Sequence, residues 1–201
     1  MTQAKVVQLP VRDEGVLVGS ARAGDRRAFE VLFSRELPHV VRLLSRLVGH
    51  DAEVPDLANE VMVLGWQRLR TSGELTRFGA FLSGVCVNVA RNHLRSKRRR
   101  RWLSFGDDDA DAPAPERTTP REALAATTRV LDGLDPELRL AFVLRFVDGR
   151  ELAEVATLMG VSLATVKRRL TDAERAFVER AKRHPALAAY VESSERWGGT
   201  S

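Results

Sequence analysis

The sequence is poor in the residues that build disulfides and metal centres. Its 201 residues contain a single cysteine, Cys86, which excludes an internal disulfide and a cysteine-rich zinc site. The four histidines are scattered without the spacing of a metal-binding motif. Cys86 lies among apolar residues at helical spacing, so we expect a small packing residue, with a redox switch as the alternative. The sequence therefore predicts no metal and no cofactor.

Long apolar runs and strand-like alternation are also missing. No stretch approaches the ~20 apolar residues that a membrane-spanning helix needs. The N-terminal segment lacks the apolar core of a signal peptide. We therefore expect a cytoplasmic protein that does not insert into a membrane. Because apolar residues recur at helical spacing and no period-2 pattern is convincing, the predicted fold is all-α.

The distribution of charge divides the chain into two parts. The net charge is +5, but residues 91–102 hold seven Lys or Arg and no acid, whereas residues 106–116 hold five acids and no base. Acids and prolines in residues 104–120 indicate a flexible linker. We predict two small helical domains, at 16–103 and 121–184, with tails at 1–15 and 185–201. The basic excess favours a polyanionic partner, although charge alone supports only non-specific attraction.

Helical periodicity and capping residues place the helices. In the first domain we expect a helix from Asp25, with Pro38 either kinking it or starting the next one. A further helix follows from Asp51 to about Arg70, and another runs from about Phe78 into the basic cluster. Residues 121–132, 136–147, 151–159 and 163–183 form the predicted helices of the second domain. The core side chains expected for the Asp25 helix are Phe29, Leu32, Phe33 and Leu37.

Residues 152–170 have the spacing of a helix-turn-helix. Apolar residues at 152, 155, 156 and 159 form the stripe of a short amphipathic helix. Gly160 permits a sharp turn, and Ser162 is a good N-cap for a second helix. A polar, basic face on this second helix is what enters a major groove, whereas an ordinary helical hairpin with a solvated face is the alternative. The outward side chains are Thr165, Arg168, Arg169 and Asp172, flanked by Lys167, and the inward ones are Leu163, Val166, Leu170, Ala173 and Phe177.

Two helices of the first domain also carry polar faces. The face on residues 56–70 consists of Asp56, Asn59, Glu60, Val63 and Gln67, and by itself it is best explained as a solvated surface. The next face alternates amides and guanidiniums, which can hydrogen-bond base edges and pair with phosphates. It consists of Asn88, Arg91, Asn92 and Arg95.

The neighbourhood of the second face offers more contacts for a nucleic acid. The basic run at 97–101 continues it as a phosphate-binding patch, with Trp102 able to stack on a base. Upstream, Phe78 and Phe81 are either core residues or platforms for unpaired bases, a contact worth ~1–3 kcal/mol each.

Several ordered segments together resemble a sigma-70-family initiation factor of bacterial RNA polymerase, of the extracytoplasmic-function (ECF) type. AGDRRAFEVLF is similar to the family's opening helix and DLANEVMVLGWQRL to its Asp-Leu-x-Gln-Glu-Val-Phe-x-x-x-Trp-x-x-Leu helix. FLSGVCVNVARNHLRSKRRRR resembles its Trp-Leu-x-x-Ile-Ala-x-Asn-x-x-x-Asp-x-x-Arg segment. LDPELRLAFVLRFVDGRELAEVATLMGVSLATVKRRL is similar to its DNA-binding half. The resemblance covers about residues 20–183.

The resemblance implies a partner for each polar face. The implied partners are core RNA polymerase, through the clamp helices of its largest subunit and the flap of the second-largest, promoter DNA, and an anti-sigma factor. Residues implied to bind the polymerase are Asp56, Asn59, Glu60, Val63 and Gln67. Residues implied to open the −10 element and hold its non-template strand are Phe78, Phe81, Asn88, Arg91, Asn92, Arg95, Lys97 and Arg98. Residues implied to read the −35 element are Ser162, Thr165, Lys167, Arg168 and Arg169.

The chain departs from the family pattern at several of these positions. Asn59 replaces the usual glutamine, Phe81 the usual tryptophan and Asn92 the usual aspartate. Asp172 and Glu174 stand where the family is usually basic, which should weaken phosphate contacts beyond the recognition helix. The departures imply a divergent promoter preference within the same class of factor.

Catalysis has no visible basis in the sequence. No nucleophile–base pair, phosphate-cradling glycine loop or metal site is present. One alternative to a sigma factor is a stand-alone helix-turn-helix regulator whose first domain senses a ligand or dimerises. A second is an enzyme acting on nucleic acid through an undetected site.

Overall fold

The computed structural model describes residues 13–49, 52–73, 75, 77–103 and 119–192, and every regular element within them is a helix. This confirms the predicted all-α fold. The first four helices are α1 (Glu14–Arg22), α2 (Arg26–Val48), α3 (Val54–Leu69) and α4 (Phe78–Leu103). The remaining helices are α5 (Pro120–Asp132), α6 (Pro136–Phe142) with a π-helical segment (Val143–Val147), α7 (Leu152–Met159), α8 (Leu163–Lys182) and α9 (Pro185–Glu192).

The first domain is a bundle in which α2 packs against α1, α3 and α4. Phe29 lies at its centre, with ring centroids 5.4 Å from Trp66 and 5.8 Å from Phe78, both edge-on. Gly65 lets α3 approach closely, because a Cβ there would meet Leu82 at 3.1 Å. The bundle therefore depends on one aromatic cluster and one close helix contact.

Helix α1 contacts the chain both after α3 and at the start of α4. The Oε1 atom of Glu14 accepts a 2.8 Å hydrogen bond from the backbone N–H of Phe78, which satisfies a free donor at the start of α4. Arg22 donates from Nη2 to the backbone oxygen of Ser72 at 2.6 Å. Through these contacts α1 joins Ser72, which follows α3, to Phe78, the first residue of α4.

The structure decides one open alternative for α2 and corrects one expectation. The helix runs through Pro38 to Val48, so Pro38 does not start a new helix. Packing of apolar residues on both sides of the proline outweighs the roughly 3 kcal/mol that an interior proline costs. Leu37 was expected in the core, but it is 39% exposed. The buried stripe of α2 passes through Leu32, Phe33 and Val40, and Leu37 lies at its edge.

The second domain packs α6 and α8 around a second aromatic cluster. The Phe142 ring lies 4.9 Å from both Phe146 and Phe177. Residues 185–192 were expected to belong to a tail, but they form α9, which packs on α5 and α8. Its buried side chains are Ala186, Leu187 and Val191. Their apolar area explains why this segment is ordered beyond the predicted boundary.

Other predictions fall at the edges of the described chain. The predicted linker, apart from residues 119 and 120, and the side chains of residues 101–103, including Trp102, lie outside it. None of the described helices combines the length and apolar character needed to span a bilayer. In the same part of the chain, no cluster of three or more His, Cys, Asp or Glu could hold a metal ion. Burial raises the pKa of the Cys86 thiol to about 12, which keeps it protonated and unreactive.

Candidate nucleic-acid interface

The turn between α7 and α8 has the geometry that its sequence indicated. Gly160 adopts the left-handed conformation (φ 67°, ψ 38°), and the backbone N–H groups of Gly160 and Val161 donate to the last turn of α7. The hydroxyl of Ser162 accepts from the backbone N–H of Thr165 at 3.2 Å, which caps α8. Both predictions, the glycine turn and the serine N-cap, are confirmed.

Helix α8 presents one apolar and one basic face. Val166, Leu170, Ala173 and Phe177 are buried as expected. Leu163 was expected inward but is 43% exposed, because it is the first residue of α8 and the buried stripe begins one turn later. Among the side chains predicted to read DNA, Ser162, Lys167 and Arg168 are exposed, and Thr165 and Arg169 are half-buried.

Helix α4 carries the second predicted nucleic-acid face. Leu82, Val85 and Val89 are buried on one side, as the periodicity requires. On the other side the residues differ in exposure: Asn92, Arg95 and Arg98 are exposed, and Asn88, Arg91 and Lys97 are half-buried. Together they form an amide and guanidinium surface along the helix.

The two phenylalanines before this face lie in different environments. Phe78 is only 1% exposed and packs edge-on against Phe29, so we remove it from the predicted DNA surface. Its aromatic area serves the core, which is the alternative that the sequence left open. Phe81 is half-buried, with its ring 6.0 Å from that of Phe78, and one side remains available to solvent.

The third predicted face, on α3, lies entirely at the surface. Its members are all exposed, and Val63 is an apolar side chain with half of its surface in water. They are Asp56, Asn59, Glu60, Val63 and Gln67. Leu57 and Val61, on the opposite side of α3, are buried. An acidic surface with one apolar centre suits a protein partner better than a nucleic acid.

One carboxylate that the sequence did not single out connects the two nucleic-acid faces. Glu137, near the start of α6, lies 3.0 Å from Arg91 and 2.8 Å from Arg95 through Oε1, and 2.9 Å from Arg169 through Oε2. The Arg169 contact is an ion pair without an aligned hydrogen bond. Thus residues from both predicted DNA surfaces meet at a single acid.

A neighbouring acid and the helix-turn-helix itself extend this contact. Asp135 pairs with Arg98 of α4 while its other oxygen caps α6 at the backbone N–H of Glu137. Arg91 also donates to the backbone oxygen of Met159, the last residue of α7, at 3.0 Å. In the sequence both acids belong to the LDPEL segment, where acids at the start of a helix are ordinary, so nothing there marked them as partners of these arginines.

Comparison with known proteins agrees with this architecture. The family model described as "Sigma-70 region 2" matches residues 32–100, and "Sigma-70, region 4" matches residues 124–177. The RNA polymerase sigma-H factor of Pseudomonas aeruginosa is 31% identical over 172 residues, covering 80% of this chain and 89% of that protein. The ECF RNA polymerase sigma-E factor of Escherichia coli K12 is 30% identical over 175 residues, covering 80% and 90%.

Solved structures share the fold. CnrH, in complex with the cytosolic domain of CnrY, is 23% identical with a TM-score of 0.56, over 83% of this chain and 95% of that chain. The sigma factor RpoE of Bartonella quintana, in complex with the anti-sigma factor NepR, is 20% identical with a TM-score of 0.52, over 77% and 96%. On the sequence matches to both regions and to curated relatives over most of their length, this chain belongs to the ECF group of the sigma-70 family of RNA polymerase sigma factors.

Proposed function

We propose that this alternative sigma factor binds core RNA polymerase, recognises −35 and −10 promoter elements and promotes melting of the DNA. The observation that carries the proposal is the capped, basic helix-turn-helix in a chain that also contains the region 2 bundle. We propose no catalytic step, because the factor would act through binding energy alone. Since bacterial core polymerase is cytoplasmic, we place its action there.

The −35 element is assigned to the first half of α8. Lys167 and Arg168 are exposed and can contact phosphates or the acceptor edge of guanine in a major groove. The Ser162 and Thr165 hydroxyls, 2.9 Å apart, stand at the N-terminal end, which enters the groove in this motif. Asp172 pairs with Arg175 at 2.8 Å, so the positive charge of Arg175 is less available to DNA phosphates beyond the first half of α8. We therefore expect base contacts to be concentrated before residue 170.

The −10 element is assigned to α4. Extrusion of a base from the stack costs a few kcal/mol, which amide and guanidinium contacts to one strand can offset. The proposed residues are Phe81, Asn88, Arg91, Asn92, Arg95, Lys97 and Arg98. Because Phe81 replaces the tryptophan usual in the family, its smaller ring should give weaker stacking at this position.

The polymerase is assigned to the α3 face. Its acids would meet basic groups on the clamp helices of the largest subunit, and Val63 would supply an apolar contact at the centre. The second domain would contact the flap of the second-largest subunit. An anti-sigma protein completes the proposed partners, supported by the complex with the anti-sigma factor NepR in which the RpoE structure was solved.

Transcription in vitro tests the proposal. Purified sigma-free core polymerase is combined with this protein and a pool of promoter fragments from its host. Discrete transcripts are expected, and Glu60→Lys should abolish them while leaving the fold intact. The matched control is Glu30→Lys, which makes the same charge change at a surface ion pair with Arg26 in the same domain.

Two results would contradict the assignment. Transcripts that persist with Glu60→Lys would show that the α3 face is not the polymerase contact. An absence of transcripts, combined with sharp duplex footprints from the protein alone, would instead indicate a stand-alone regulator.

A further inference from the structure

The two domains are held together by the same arginines that the proposed function assigns to DNA. Arg91 and Arg169 come from different domains, yet their side chains retain only 17% and 22% exposure because both contact Glu137. The Glu137 side chain is itself only 15% exposed. An arginine in an ion pair with a carboxylate presents fewer donors to a phosphate or a base, since its fork is already engaged.

Other contacts keep the domains in this arrangement. Arg139 of α6 is 2% exposed and donates through Nε to the backbone oxygen of Leu47 at 2.8 Å, close to the end of α2. Its Nη1 pairs with Asp132. Arg46 of α2 pairs with Asp148, which follows the π-helical segment. These contacts align the second domain so that the start of α6 lies against α4.

The interface remains one that can open. A cleft of about 860 Å³ lies between α4 and α6, lined by Asn92, Arg95, Arg98 and Arg99 and by Asp135, Pro136 and Glu137. Arg95 and Arg98 keep more than half of their side-chain surface exposed. Such ion pairs are weakened by salt and can be exchanged for phosphate contacts, because water already reaches them.

We infer that Glu137 is an autoinhibitory lock: in the free protein its carboxylate takes the place of DNA phosphates and holds the domains closed over the α4 face. The inference rests on the proposed DNA role of α4 and goes beyond it. Binding to DNA then requires the second domain to move away from α4. The ion pair between Asp135 and Arg98 stabilises the same closed state. In that state Arg169 contacts Glu137 and is not available to read DNA with the rest of α8.

Charge reversal at Glu137 tests the lock on the free full-length chain. Glu137→Lys places a fourth cation among Arg91, Arg95 and Arg169, so like-charge repulsion should open the interface. The control is Glu179→Lys, an exposed acid on α8 that gives the same change of two charges. Glu137→Gln, which only removes the charge, should shift both readouts in the same direction by less. Circular dichroism checks that each variant retains its helix content.

The readouts separate opening from DNA binding. Small-angle X-ray scattering should show a larger radius of gyration for Glu137→Lys than for wild type or Glu179→Lys. Fluorescence anisotropy with a labelled, mixed-sequence single-stranded oligodeoxynucleotide should show binding about tenfold tighter than Glu179→Lys, as expected if the open fraction rises from about a tenth to nearly all. Both changes together would support the lock.

Each remaining outcome overturns the inference. Equal radii and equal affinities for the two lysine variants would show that Glu137 does not hold the domains closed. Expansion without tighter binding would show that closure does not block α4. Tighter DNA binding without expansion would show that the added positive charge alone, and not opening of the domains, raises the affinity. Failure of the sigma-factor proposal is separate, because it appears as absent transcription with core polymerase, whereas the scattering result involves neither DNA nor polymerase.

Discussion

Replacing glycine by alanine at two positions should change stability in opposite directions. Gly84 lies inside α4 and Gly160 ends α7, and an added Cβ would meet no other atom within 4 Å at either position. Steric clash therefore does not contribute, and only the backbone conformation differs. Gly160 has φ +67°, whereas Gly84 lies within the α4 helix.

The magnitudes follow from these conformations. Gly84→Ala should stabilise the first domain by about 0.8–1.0 kcal/mol, the difference in helix propensity between the two residues. Gly160→Ala costs about 1–2 kcal/mol for the left-handed backbone, less about 0.4–1 kcal/mol gained by restricting the unfolded chain. The net result is a loss of about 1 kcal/mol in the second domain. Gly160→Asn should lose less, because asparagine tolerates this conformation better.

Thermal and urea unfolding followed by circular dichroism at a helix band measures both effects. For a chain of this size, 1 kcal/mol corresponds to a shift in Tm of about 2–4 °C. Gly84→Ala should raise the midpoint and Gly160→Ala should lower it. Shifts of the same sign for the two variants would refute the reasoning, since no contact distinguishes the two sites.

Three further predictions concern the proposed surfaces and one half-buried histidine. Arg169→Ala should weaken binding to −35 duplex by about 1–3 kcal/mol, measured by titration against Arg175→Ala as control, and unchanged affinity would exclude a reading role. Asn88→Ala should slow promoter opening more than closed-complex formation in stopped-flow assays, and equal effects would make Asn88 a packing residue. Burial holds the pKa of His39 below its usual 6.5, so the unfolded chain binds the proton more readily and stability should fall as the pH drops below about 6.5. Urea midpoints across this range should show less decline for His39→Gln, and an identical decline would refute the assignment.

Local patterns predicted the elements that depend on neighbours in sequence. The Ser162 cap, the Gly160 turn and the buried stripe from Val166 to Phe177 all follow from residues a few positions apart, and the structure contains them. The cap needs a hydroxyl two or three residues before a free N–H, and the turn needs a residue without a Cβ. Because these requirements concern residues within one helical turn of each other, the sequence alone shows whether they are satisfied.

Predictions failed or stayed open where distant packing decided the outcome. The sequence left open whether Pro38 kinks α2 or starts a new helix, and α2 continues through it because the apolar residues on both sides are held by other helices. Residues 185–192 looked like a tail, yet Leu187 and Val191 are buried against α5 and α8. Phe78 suited either a base or the core, and only the position of Phe29 settled which. A short apolar run carries no information on which surface will cover it.

The sequence by itself determined the family, the helical fold and the polar character of three helix faces. These depend on residue spacing and capping, which act along one helix. Only the tertiary structure decided that Arg91, Arg95 and Arg169 share Glu137. That contact joins α4, α6 and α8, which are separated by long stretches of chain, and its geometry depends on how the domains dock. An ion pair between domains leaves no periodic signal in sequence, because a single acid at the right place in space is enough to form it.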